Sequence, residues 1–234
     1  MFSVLLVDDE ELVRVSIRYS ISCVLSNVKV VGEAANGEEG IAFVRDQHPD
    51  IVITDIRMPR MDGLQMIGAI REESPDTPII VLSGYADFEY ARQAMKFGIT
   101  DYLLKPVEEQ SLKETLEKCI GRIVQQRDLI QEEKASKKVI AYINAHYQED
   151  LFLDKLAAEF NFSTKYLSAM IKNETNQSFI SYLTKLRLDR AMDLLRHTNL
   201  EIKEIAASVG YDDQRYFHRI FKKQTGKTPS QYRK

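Results

Sequence analysis

The chain has 234 residues, of which 44% are hydrophobic and 29% charged, with a formal net charge of −3. That length favours two domains over one, and the apolar share is enough for each to bury a core, which argues against disorder. No stretch reaches the roughly 18 apolar residues that span a bilayer and the N-terminus lacks a basic flank, so a cytoplasmic protein with no membrane partner is expected.

The first half alternates short apolar runs with helical stretches. FSVLLV (2–7), VKVVGEA (28–34), DIVITD (50–55), PIIVLSG (78–84) and DYLLKP (101–106) read as strands apolar on both faces. Between them, 37–48, 62–74 and 87–98 carry apolar residues at helical spacing. The alternation predicts an α/β unit over residues 1–120, a doubly wound, five-stranded parallel sheet. In such sheets ligands sit at the carboxyl ends of the strands. Asp8 and Asp9 stand after the first strand, Asp55 after the third, Ser83 after the fourth and Lys105 after the fifth.

Three carboxylates drawn together cannot all stay ionised unaided; they are protonated or share a cation. Oxygen-only ligands with open positions suit Mg²⁺. Asp55 then serves as nucleophile toward a phosphoryl group, with Lys105 balancing charge on its oxygens and Ser83 donating a hydrogen bond. Taken alone, Asp8 and Asp9 also read as an acidic turn or helix N-cap. Convergence of four strand ends favours the site.

The motifs LLVDDE, VITDIRMPRMDG and VLSGYADFEYARQAMKFGITDYLLKP resemble the receiver domain of two-component response regulators, throughout residues 1–120. The resemblance implies Asp55 as phosphoacceptor and Mg²⁺ held by Asp8, Asp9, Asp55 and the backbone carbonyl of Arg57. It also implies a switch between Ser83 and Tyr102, a cis bond between Lys105 and Pro106, a sensor histidine kinase as partner, and a homodimer when phosphorylated. A phosphohydrolase with the same aspartates usually needs a second acid two residues after the nucleophile, where Arg57 stands. No enzyme activity is therefore expected beyond Mg²⁺-dependent self-phosphorylation and slow loss of the protein's own phosphate.

Residues 121–135 are expected to form a helical linker. Leu112, Leu116, Cys119, Ile123 and Ile130 recur near three-and-four spacing, as in a helix that continues outward into a short coiled coil or one that packs on its own domain. Gly121 and Gln126 weaken the coiled coil. Cys23 and Cys119 lack a CxxC or Cys/His cluster, which argues against a disulfide framework or zinc site; both are expected to pack helices.

Residues 136–234 read as helical with no strand signature. Charge divides as well: residues 1–120 hold 12 Lys+Arg against 21 Asp+Glu, residues 121–234 hold 20 against 14. A basic second half points to nucleic acid. LDKLAAEFNFSTKYLSAMIKNETNQS and IKEIAASVGYDDQRYFHRIFKKQTGKT resemble one another, Leu156-Ala157 matching Ile205-Ala206 and Ile171-Lys172 matching Phe221-Lys222 with one residue added in the second turn. Each gives a helix, a turn residue able to take positive φ (Asn161, Gly210), and a second helix capped by Ser163 or by Asp212 or Asp213, which is a helix-turn-helix pattern. SFISYLTKLRLDRAMDLLRHT between them reads as one helix, a rod that would set two reading helices about one turn of DNA apart, roughly 34 Å. An ordinary all-α bundle fits the same helices less economically.

VGYDDQRYFHRIFKKQTGKTPSQYR resembles the second motif of the AraC family DNA-binding domain, and the first motif matches more loosely. The resemblance implies base contacts from Gln214, Arg215, His218 and Arg219 in the second reading helix and from Lys165 and Ser168 in the first. Arg215 and Arg219 suit guanine and Gln214 adenine, whereas Lys172, Lys222, Lys223 and Lys227 suit phosphates. Phe162, Leu167, Tyr211, Phe217 and Phe221 are assigned to core. Ala169 occupies a slot where many relatives carry Arg, so the first motif would read fewer bases. Double-stranded promoter DNA and RNA polymerase are the implied partners.

Overall fold

The computed structural model describes residues 1–84 and 88–233. It divides into two compact units, Met1–Asp128 and Leu129–Lys234. The division falls inside the stretch 121–135.

In the first unit, β1 (Phe2–Val7), β2 (Val28–Ala34), β3 (Ile51–Asp55), β4 (Ile79–Ser83) and β5 (Asp101–Leu104) form one parallel sheet in the order β2-β1-β3-β4-β5. The strands fall within the five apolar runs. Successive side chains point to opposite faces, and burial follows that period of two. Val4, Leu6, Ile51, Ile53, Ile80, Leu82 and Leu103 pack under α1 (Glu11–Val24) and the first turns of α5 (Glu109–His146). Leu5, Val7, Val52, Ile79 and Val81 pack under α2 (Gly37–Gln47), α3 (Gly63–Glu73) and α4 (Phe88–Lys96). With both faces covered, the strands need apolar residues nearly throughout. Asp87, which opens the helical stretch expected at 87–98, lies outside the described residues.

Two packing expectations are resolved. Leu112, Leu116, Cys119 and Ile123 are buried against the unit's own sheet, and Ile130 is exposed, so most of the stripe is consumed inside one chain rather than left for a coiled coil. Cys119 packs as expected, but Cys23 is exposed. Helix α1 buries Ile17 and Ile21, and Cys23 lies off that narrow stripe.

In the second unit, α5 supplies Val139 and Ile143 to a core with α6 (Leu153–Glu159), α7 (Thr164–Thr175) and the first half of α8 (Phe179–His197). A separate core joins the second half of α8, through Leu188, Ala191 and Leu195, to α9 (Ile202–Ser208) and α10 (Gln214–Thr225). Helix α11 (Pro229–Arg233) follows. The two motifs repeat with the expected offset: α9 starts 49 residues after α6 and α10 starts 50 after α7. Asn161 and Gly210 take φ of 55° and 88° at the turns. Ser163 caps α7 by accepting from the Tyr166 amide, and Asp213 caps α10 by accepting from Arg215 and Tyr216. Leu167, Tyr211, Phe217 and Phe221 are buried and Phe162 is half-buried against the first core.

Gly63 ties α3 to the end of β3. Its amide donates to the Ile56 carbonyl at 2.8 Å, and a Cβ there would stand 2.1 Å from the Asp55 carbonyl oxygen. The obstacle is backbone and cannot swing aside. Gly63→Ala is therefore expected to destabilise the first unit by roughly 3 kcal/mol, measured as a drop in the urea midpoint.

Candidate functional site

Sheet order positions the acidic residues. Strand β1 lies between β2 and β3, so the connections leaving β1 toward β2 and leaving β3 toward β4 part to either side and open a crevice at the carboxyl ends of β1 and β3. Val7 pairs with Thr54 across the two strands, which sets Asp8 beside Asp55. Asp8, Asp9 and Asp55 bring carboxylate oxygens within 4.8 Å of one another. Asp8 and Asp55 are buried, whereas Asp9 stands at the surface.

Lys105 closes the group. Its Nζ donates to Asp8 Oδ2 at 2.7 Å and to Asp55 Oδ2 at 2.5 Å. The other oxygen of Asp55 accepts from the amides of Ile56 (2.5 Å) and Arg57 (3.3 Å), and that of Asp8 accepts from Glu10 at 2.9 Å. Burial lifts the Asp8 carboxyl above its usual pKa even though the Lys105 hydrogen bond works the other way. Burial also opposes charge on Lys105, but hydrogen bonds to Asp55 and Asp8 outweigh it and its pKa is raised. The ammonium thus bonds two of the three clustered carboxylates, and the all-oxygen donor set fits a hard divalent cation such as Mg²⁺.

Ser83 is buried at the end of β4, where its hydroxyl donates to the Gly84 carbonyl at 3.2 Å. Tyr102 on β5 pairs with Val81 and is half-buried against the core under α2, α3 and α4. The Lys105-Pro106 bond is cis. Arg57 extends its guanidinium over the Tyr90 ring of α4, 5.3 Å from the centroid.

Arg14, which sequence reasoning misses, braces the end of β1. From α1 it donates to the Asp8 carbonyl at 2.6 Å and pairs with Glu33 of β2 at 3.1 Å. No sequence signal marks it, because the group it holds is a backbone carbonyl.

In the second unit, Lys165 and Lys172 on α7 are exposed and Ser168 is half-buried. On α10, Gln214, Arg215, Arg219, Lys222 and Lys223 are exposed, and Phe217 and Phe221 are buried. Arg219 lies over the Tyr216 ring, 5.3 Å from its centroid, which steadies a long side chain at the surface. His218 differs from its neighbours: it is half-buried, and its Nε2 is enclosed without a hydrogen-bond partner among the described residues. No helix among those residues is long and apolar enough to cross a membrane.

Comparison with known proteins agrees with this geometry. Residues 4–117 match the response regulator receiver domain and residues 156–234 a helix-turn-helix domain. An uncharacterized response regulatory protein of Staphylococcus epidermidis is 28% identical over 251 residues, spanning 100% of this chain and 99% of that one. The transcriptional regulatory protein HptR of Staphylococcus aureus is 28% identical over 99% of this chain and 98% of its own. Among solved structures, the receiver domain of AraT, a response regulator from Geobacillus stearothermophilus, is 38% identical and matches with a TM-score of 0.51, covering 54% of this chain and 98% of that one. The chain belongs to the response regulator family, with a receiver domain at its N-terminus and a helix-turn-helix DNA-binding domain of AraC type at its C-terminus.

Proposed function

We propose that this response regulator is a transcription factor controlled by phosphorylation of Asp55, with a sensor histidine kinase as phosphoryl donor and double-stranded promoter DNA as target. The observation that carries the reading is Lys105 bridging Asp8 and Asp55 at the strand ends, in a chain whose other unit holds two capped helix-turn-helix motifs.

The chemistry follows from the groups present. An oxygen of Asp55 forms a bond to phosphorus while the bond from phosphorus to the donor's histidine nitrogen breaks, and the electron pair leaves with the imidazole. Lys105, already on Asp55, neutralises one phosphoryl oxygen. Ser83 turns its hydroxyl from Gly84 to another. Asp8, Asp9, Asp55 and the Arg57 carbonyl would hold Mg²⁺, which supplies charge neutralisation for the remaining oxygens. The phosphoryl group adds about two negative charges and three acceptor oxygens. Ser83 moving toward them frees space for Tyr102 to turn further in, which biases the surface near α4 and β5 toward a homodimer. Arg57 in place of a second acid leaves dephosphorylation slow.

Residues 121–135 then act as a helical connection between regulator and reader. Gln214, Arg215, His218 and Arg219 read bases from α10, and Lys165 and Ser168 from α7, while Lys172, Lys222 and Lys223 hold phosphates. Acting at promoters, the protein works in the cytoplasm beside RNA polymerase.

Three outcomes are expected. Acetyl phosphate raises occupancy of DNA selected from random fragments by the wild-type chain and leaves Asp55→Ala unchanged; equal stimulation of both, read by gel shift, defeats the reading. Asp8→Asn raises Tm by several degrees at neutral pH but abolishes the stabilisation that added Mg²⁺ gives the wild type. The sign follows from Asp8: with its folded pKa raised, its stabilising contribution is present below the unfolded value and lost as pH rises through the folded one, so a neutral amide helps most at neutral pH and least in acid. On matched and scrambled duplexes, Arg219→Ala loses about 1 to 3 kcal/mol and relaxes base preference, whereas Lys165→Ala weakens both more evenly; titrations by fluorescence anisotropy separate the two.

A further inference from the structure

Arg187 lies on α8 where the two cores of the helical unit change over, Leu183 belonging to the first and Leu188 to the second. Its Nε donates to the Tyr147 carbonyl and its Nη2 to the Glu149 carbonyl, each at 2.7 Å. Its guanidinium also lies over the Tyr211 ring, 5.4 Å from the centroid. Tyr147 and Glu149 belong to the segment leading into the first helix-turn-helix motif, and the Tyr147 ring packs against both cores. Tyr211 follows Gly210 in the turn of the second motif.

Gly210 shows how tightly these segments meet. Its φ is 88°, and a Cβ would stand 2.8 Å from the Gln148 carbonyl oxygen and 2.9 Å from Arg187 Cζ and Nη2. The lead-in to one motif, the rod, and the turn of the other therefore converge on a single guanidinium.

A helix fixes the distance between two motifs along its axis. It does not by itself fix how each is rotated about that axis. A planar guanidinium does: two donors directed at two carbonyls, with its face on an aromatic ring, leave it one orientation, where a lysine would be a point charge on a flexible stem. We infer that Arg187 is a positioning residue that locks the rotational register between α7 and α10, so that the chain accepts only one spacing between the two DNA segments it reads. The inference rests on the DNA-binding reading given above.

The test uses the full-length chain and a duplex recovered by selection from random DNA, alongside a second duplex with the two contacted segments moved apart by half a helical turn, about 5 base pairs. The readout is the ratio of Kd values on the two duplexes. The wild type should reject the lengthened site strongly. Arg187→Gln should bring the ratio several-fold closer to one, with Arg187→Lys in between. Gly210→Ala, which forces the Gln148 carbonyl and Arg187 apart, should shift it in the same direction and serves as the reading variant if Arg187→Gln fails to show the wild-type helical circular dichroism. An unchanged ratio overturns the inference, even where affinity for both duplexes falls equally, as a merely structural role predicts. A wild type that binds both duplexes alike overturns the inference together with the two-segment reading, whereas wild-type discrimination unaffected in the variants removes only the role of Arg187.

Discussion

The receiver pocket depends on one ammonium shared by two buried carboxylates. Lys105 reaches Asp8 and Asp55 together only because β1, β3 and β5 run parallel and end at the same edge of the sheet. Removing an acid from water disfavours its charged form, and here the opposing cation comes from a residue 97 positions away in the chain. Much of the surrounding structure maintains that meeting: Gly63 holds the β3 end, Arg14 holds the Asp8 carbonyl, and two apolar layers keep the strands dry. The excess of negative charge suits a hard cation by its all-oxygen donor set, which the phosphorylation proposed for Asp55 would use.

Most of this architecture was legible in the sequence because strands buried on both faces must be apolar runs, and five such runs separated by helical stretches admit few arrangements. Asp8, Asp9, Asp55, Ser83 and Lys105 could be placed for the same reason: each closes an apolar run or follows it within two residues. What stayed hidden depends on partners rather than patterns. The stripe Leu112, Leu116, Cys119, Ile123 declares an apolar face without saying what covers it, and a sheet of the same chain does. Cys23 looks like a packing residue by type, but two positions on α1, Ile17 and Ile21, already fill the contact. Arg14 and Arg187 act through backbone carbonyls, which leave no mark on the residues they bind.

The helical unit was readable through its internal repeat. Offsets of 49 and then 50 residues locate one added residue between paired helices, and the structure places it in the turn, where Val209 to Asp213 spans one position more than Phe160 to Ser163. Both turns need a positive φ, met by asparagine in one and glycine in the other. Only glycine suits the second, because other backbone crowds it. His218 marks the limit of such reading: its slot on α10 suggests an exposed polar residue, but one ring nitrogen is enclosed.

Helix α8 gives its first half to one hydrophobic cluster and its second half to another. Neither motif can therefore be cut away as a module. Ending the chain after α8 would turn Leu188, Ala191 and Leu195 out into water, and leaving two leucines unburied forfeits on the order of 3 to 6 kcal/mol, a large part of what keeps a unit of this size folded. A shortened descendant with a single helix-turn-helix motif would have to rewrite the inner face of its central rod as well, so the doubled arrangement is held in place by packing as much as by any demand of DNA binding.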